Sequence, residues 1–123
     1  MKMSESAENY LETILIIKNR NGQVRSIDIV NELNYSKPSV SRAMKLLRED
    51  NYITVDEDGY ISLTETGARI AETMYERHII ISNHLMSIGV EKEVALEDAC
   101  RIEHVISKQT FEKIRNSVRH KNK

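Results

Sequence analysis

Apolar residues recur along this chain at two different spacings. From Ser4 to Lys18 they fall at Tyr10, Leu11, Ile14, Leu15 and Ile17, three or four apart, which is the spacing of one helical face. Asn19 to Gly22 closes that stretch. Ser26 is placed to cap a short helix carrying Ile27, Ile29, Val30 and Leu33, and Asn34-Tyr35-Ser36 turns the chain. Pro38 then opens a helix to about Asp50 that turns Val40, Ala43, Met44 and Leu47 inward. The spacing next changes to two, in Tyr52-Ile53-Thr54-Val55 and Tyr60-Ile61-Ser62-Leu63. Asp56-Glu57-Asp58-Gly59 lies between them, acidic turn residues followed by the glycine of a hairpin. Helical spacing returns from Glu65, behind a capping Thr64, and Gly89 ends it near Ile88. A helix from about Lys92 to Ile106 follows, and Ser107 caps a last one to about Arg119, leaving His120 to Lys123 as a frayed tail.

Helix, helix, turn, helix, hairpin is the order of a winged helix-turn-helix. The chain is therefore expected to be mainly α, with a two-stranded wing in residues 1–64 and a helical unit in residues 65–123. The second unit concentrates Ile79, Ile80, Ile81, Leu85, Met86, Ile88, Val90, Val94, Ile102, Ile106, Phe111, Ile114 and Val118. Three short helices cannot hide so much apolar surface internally. Association of two copies through this unit is the simplest outlet, so a homodimer is expected.

The 123 residues are 40% apolar and 30% charged, with a net charge of −1, a soluble balance that excludes a non-specific polycation. There is no long apolar run and no signal peptide, and a single cysteine fits a reducing cytoplasm. Against this near-neutral background, charge is concentrated in one place. Residues 36–48 carry Lys37, Arg42, Lys45 and Arg48 and no acid, although residues 1–64 hold eight basic against ten acidic side chains. Ser36, Lys37, Pro38, Ser39, Ser41, Arg42 and Lys45 gather small hydroxyls and cations at a helix N-terminus. That suits phosphate contact and base-edge readout of double-stranded DNA in the major groove. A solvated basic helix face has the same charges, but the hairpin after it and the short helix before it favour DNA. The acidic wing tip is expected to add little grip, and affinity is expected to depend strongly on salt.

Cys100-Arg101-Ile102-Glu103-His104 places a thiol, a carboxylate and an imidazole at i, i+3 and i+4, one face of a helix. These are metal-competent donors of mixed softness. Glu12, with Asn9 one turn earlier, and His78 are further candidates on other helices. Taken singly, a surface carboxylate and a hydrogen-bonded core histidine are the plainer explanations of Glu12 and His78. His84 and His120 have no partner at useful spacing. Paired zinc spacings, nucleophile–base pairs and phosphate-binding glycine loops are absent, so no catalytic residue and no small-molecule substrate are indicated.

Glu8-Asn9-Tyr10-Leu11-Glu12-Thr13-Ile14, Val40-Ser41, Leu63-Thr64, Arg77-His78 and above all Asp98-Ala99-Cys100-Arg101-Ile102-Glu103-His104-Val105-Ile106-Ser107 resemble the metal-dependent repressors. That family is typified by the diphtheria toxin repressor and the manganese transport regulator, and the resemblance runs from about Glu8 to Val118. It implies a homodimeric winged-helix repressor of metal-homeostasis genes that binds operator DNA when loaded with Fe(II) or Mn(II). In the family the ion lies between the first helix and the dimerisation helices. Glu12, His78, Cys100, Glu103 and His104 fall on family ligand positions, and Cys100 matches the iron branch, which favours Fe(II) with Mn(II) next. Zn(II) and Co(II) would bind in vitro.

The chain also departs from the family. Asn9 stands where the manganese branch has an aspartate and the iron branch a methionine. Ser82 and Leu96 replace ligands of an accessory site, Arg42 replaces a common polar amide, and the expected form is the short one without a third, SH3-like domain. Asn9 keeps open a rival reading, a winged-helix regulator whose degenerate metal site answers another signal. A metal-storage or enzymatic protein on the same fold is the second rival, opposed by Pro38-Ser39-Val40-Ser41-Arg42.

Overall fold

The helices begin and end where local hydrogen bonding dictates. In the computed structural model, which describes residues 3–121 with side chains to Val118, α1 spans Glu5–Asn21. The Ser4 hydroxyl accepts from the Ala7 N–H at 3.2 Å, and Gly22, at φ 85°, ends the helix by donating to the Lys18 carbonyl. Helix α2 spans Ser26–Leu33 and α3 spans Lys37–Glu49. Ser26 is the first residue of α2 and not its cap. Arg25 holds the cap position, and the Asp28 carboxylate accepts its N–H at 2.9 Å, so an acid in the first turn closes the helix from within. Ser36 caps α3, accepting from the Ser39 N–H, and Pro38 lies in its first turn.

Strands β1 (Ile53–Val55) and β2 (Ile61–Leu63) pair antiparallel, with Ile53 opposite Leu63 and Val55 opposite Ile61. The turn between them is built on Asp56, whose carboxylate accepts the N–H groups of Asp58 and Tyr60, both at 2.9 Å. Ile53 and Ile61 point inward. The base of this wing is tied to the α1–α2 loop, where the Ile61 N–H donates to the Val24 carbonyl at 2.7 Å and Arg25 lies 4.3 Å over the Tyr60 ring.

Helix α4 runs Glu65–Ser87, α5 runs Lys92–Ile102 and α6 runs Lys108–Lys121. Thr64 caps α4 by accepting from the Gly67 N–H at 3.1 Å, and Ser107 caps α6 by accepting from Thr110 at 3.1 Å. Helix α5 stops four residues short of the expected Ile106. Residues 103–105 are a turn, because the chain must leave α5 in time for Ser107 to start α6. At the other end α6 includes residues expected as a tail from His120; residues 122–123 of that tail lie outside the described residues.

The chain divides into two compact units, Met1–Glu72 and Thr73–Lys123, with the division inside α4. In the first, Tyr10, Leu11, Ile14, Ile17, Val24, Ile29, Val40, Met44, Leu47, Ile53, Ile61 and Ala71 form one core. Tyr10 meets Tyr35 edge-on at 5.9 Å, and burial, helped by that neighbour, raises its phenol above the ordinary value. In the second, Ile81, Ala99 and Phe111 are buried, with Ile80, Leu85, Ile102 and Ile106 packed around them. Tyr75, Ile79, Ile88, Val94, Leu96 and Val105 remain exposed in the single chain. No helix among the described residues is long and apolar enough to cross a membrane.

One glycine is demanded by packing. A Cβ on Gly67 would lie 2.0 Å from the Tyr52 carbonyl oxygen, a backbone atom that also accepts the Thr64 N–H. Alanine gains up to about 1 kcal/mol in helix propensity, but such a backbone overlap typically costs about 1–3 kcal/mol. Gly67→Ala is therefore expected to lower the thermal unfolding midpoint by several degrees, which circular dichroism would record. An unchanged or raised midpoint would show that the β1–α4 junction yields.

Candidate functional site

Three of the expected metal donors meet within the second unit. Helix α4 brings His78, and the turn after α5 brings Glu103 and His104. Glu103 has no solvent exposure at all. Its two carboxylate oxygens each face an imidazole: Oε2 lies 3.4 Å from His78 Nδ1 and Oε1 lies 3.2 Å from His104 Nε2. His78 Nδ1 is itself buried and makes no hydrogen bond among the described residues.

A carboxylate withdrawn from water is disfavoured by several kcal/mol unless positive charge meets it. A buried carboxylate with an imidazole against each oxygen is an unfavourable way to fill a core, and donors of this kind suit a divalent transition ion. The residues therefore fit a metal, and the fit rests on the buried Glu103 carboxylate and the His78 nitrogen that lacks a hydrogen bond.

The other candidates are distributed differently. Glu12 lies on α1 and is buried, 3% exposed. Asn9, one turn before it, is half-buried, and its carbonyl accepts the Thr13 hydroxyl at 2.7 Å. Cys100 lies on α5 and is exposed. The Cys100–Glu103–His104 spacing is thus not one uniform helical face: α5 ends at Ile102, and burial begins at Glu103. Ser82, expected to leave an accessory site incomplete, is buried and donates to the Ile79 carbonyl at 3.0 Å.

Sequence reasoning gave no role to Arg77. Its guanidinium donates to the backbone carbonyl of Glu103 at 3.1 Å and lies 5.3 Å over the Phe111 ring. The only sequence signal was its place beside His78. A bond between residues 26 positions apart has no local signature.

In the first unit the basic stretch becomes one exposed face of α3. Val40, Met44 and Leu47 are buried, while Lys37, Pro38, Ser41, Arg42 and Lys45 are exposed and follow the i, i+3/i+4 stripe. Ser36 is exposed and Ser39 half-buried. Both also have a structural task, since the Ser36 hydroxyl donates to that of Ser39 at 2.8 Å as part of the cap. Among the described residues none of Lys37, Arg42 and Lys45 is in an ion pair, so the cations of this stripe are open to an anionic partner.

Comparison with known proteins agrees with both halves. Residues 2–61 match the N-terminal DNA binding domain of the iron dependent repressors, and residues 64–123 match their metal binding and dimerisation domain. The chain is 31% identical over 115 residues to an uncharacterized HTH-type transcriptional regulator of Methanocaldococcus jannaschii, covering 92% of both chains. It is 32% identical over 111 residues to the transcriptional regulator MntR of Escherichia coli, covering 90% of this chain and 72% of that one. Among solved structures it resembles IdeR of T. acidophilum with a TM-score of 0.80 at 26% identity, covering 96% of this chain and 55% of that one. The chain thus spans about half the length of that structure.

Proposed function

The chain belongs to the iron-dependent repressor family, whose members are transcriptional regulators and not enzymes, and from that premise we propose that it represses metal-homeostasis genes as a homodimer loaded with Fe(II) or Mn(II). Residues 1–64 read operator DNA in the cytoplasm, and residues 65–123 bind the ion and join the protomers. The observation that carries this reading is the fully buried Glu103 carboxylate with an imidazole against each oxygen.

His78, Glu103 and His104 hold the ion; Glu12 and Cys100 are further ligand positions that the resemblance to the family implies. Asn9 is an amide and a weaker donor. A bound divalent ion supplies positive charge to this acidic set. Carboxylate and imidazole accept either Fe(II) or Mn(II), and the Cys100 thiol favours the softer Fe(II). Ion binding that orders the dimer fixes the spacing of its two recognition helices. Two half-sites one turn apart, about 34 Å, require such fixed spacing. The exposed Ile79, Ile88 and Val105 give the second unit an apolar surface for a second copy. Ser36, Lys37, Pro38, Ser39, Ser41, Arg42 and Lys45 present the DNA-facing stripe of α3.

The test is fluorescence anisotropy on DNA from the protein's own promoter region, with chelator and then anaerobically with Fe(II) or Mn(II). Coupling of about 1–3 kcal/mol between two sites predicts a 5- to 150-fold gain in affinity with the ion. Equal affinity in all three conditions would remove the metal-switch reading.

A further inference from the structure

Helix α4 grips Glu103 at two points. His78 faces its carboxylate at 3.4 Å, and Arg77, the preceding residue, donates to its backbone carbonyl at 3.1 Å. That carbonyl belongs to the residue that ends α5, where the last carbonyls lack partners within the helix and a cation is favoured. Arg77 is therefore a cap for α5 delivered from another helix. Its position is set in turn by α6. The guanidiniums of Arg77 and Arg115 lie 5.3 and 4.9 Å from the centroid of the buried Phe111 ring, each within cation–π range. Arg115 is drawn back to α4 by Glu76 at 3.5 Å.

We propose that Arg77 is a positioning residue for the metal centre: it fixes the backbone of the turn at 103–105 so that Glu103 and His104 are aimed at His78 before an ion arrives. The inference rests on reading those three residues as the metal centre. The argument is geometric. Glu103 and His104 are adjacent residues of one turn, so a rotation of the Glu103 peptide moves both donors together. The bonds from Glu103 to Ala99 and from Val105 and Ile106 to Ile102 fix helical curvature in that turn, and Arg77 holds the Glu103 carbonyl from α4. Partners that orient metal ligands commonly contribute 10- to 100-fold to metal affinity.

Wild type, Arg77→Met and Arg77→Gln would be titrated with Mn(II), with the free ion counted by electron paramagnetic resonance. Amide hydrogen exchange would be followed in the metal-free proteins. Both variants keep an apolar stem and lose the long donor. Each is expected to bind Mn(II) about tenfold more weakly and to exchange the amides of 103–106 faster without metal. Arg115→Met, which removes the other guanidinium over Phe111 but leaves the carbonyl bond, is expected to keep wild-type Mn(II) affinity. Arg77→Lys, which restores a cationic donor, is expected to recover part of the loss. If Arg77→Met does not fold, Arg77→Gln carries the same readouts.

Wild-type Mn(II) affinity in the folded Arg77 variants overturns the inference and leaves the metal centre standing. An equal loss in Arg115→Met overturns it by showing that packing on Phe111 is what counts. A wild-type protein that binds no Mn(II) removes the metal-centre reading, and the inference with it.

Discussion

Glu103→Gln is expected to abolish metal-responsive DNA binding while leaving a folded protein. The side chain has no exposure, and each oxygen lies against an imidazole nitrogen, at 3.4 and 3.2 Å. Glutamine keeps the shape and loses the charge, which is what a divalent ion needs from this position. Loss of an anionic donor at the centre of the set predicts a fall in Mn(II) or Fe(II) affinity of about 100-fold or more, roughly 3 kcal/mol. The metal-free protein should behave in the opposite way. Burial of a carboxylate opposes folding unless positive charge repays it, so removing that charge costs little or even stabilises. The metal-free unfolding midpoint is expected to match or exceed that of wild type. Calorimetry with chelator and then with ion separates the two effects: wild type should gain stability from the ion, and Glu103→Gln should not. A variant that still binds the ion would remove Glu103 from the ligand set. One that unfolds would make it a structural acid.

The same residue shows how far the sequence alone can be read. Helix spacing, Thr64 and Ser107 as caps, Gly22 and Gly89 as stops and the Asp56–Gly59 hairpin are local features, and the structure contains each of them. Cys100, Glu103 and His104 were also legible as a chemical cluster, because donors three and four apart stand out in an apolar stretch. What spacing could not show is that α5 ends between Cys100 and Glu103, which leaves the thiol exposed and buries the acid. That end is decided by the start of α6, not by any breaker, since neither glycine nor proline lies between Lys92 and Ser107. The cap of α2 failed for a similar reason. A serine before an apolar run is a good N-cap, but an aspartate two residues later closed the helix on Arg25 instead. Gly67 against Tyr52 and Arg77 against Glu103 join residues 15 and 26 apart through backbone carbonyls, and a carbonyl has no side-chain identity for a sequence to display.

Arg42→Ala is expected to weaken operator binding by about 1–3 kcal/mol, roughly 5- to 150-fold, without changing metal affinity. Arg42 is exposed on α3, on the same stripe as Pro38 and Lys45, while Val40, Met44 and Leu47 fasten the opposite side of the helix to the core. Its removal therefore takes away no packing, and the unfolding midpoint should hold within the small range usual for surface substitutions. Salt dependence tells how the residue acts. A guanidinium on a phosphate contributes one released counterion, so its loss lowers the slope of log affinity against log salt by about 0.9 and weakens all sequences alike. A guanidinium on a guanine edge leaves that slope nearly unchanged and instead erases the preference for one base pair. Residues 1–64 hold ten acidic side chains against eight basic ones, so they have little spare positive charge. Each cation on α3 should then matter more than on a basic protein, and Lys45→Ala serves as the comparison. Anisotropy on operator and scrambled duplexes at two salt concentrations distinguishes the modes. Unaltered affinity on both duplexes would place the DNA-reading surface elsewhere than α3.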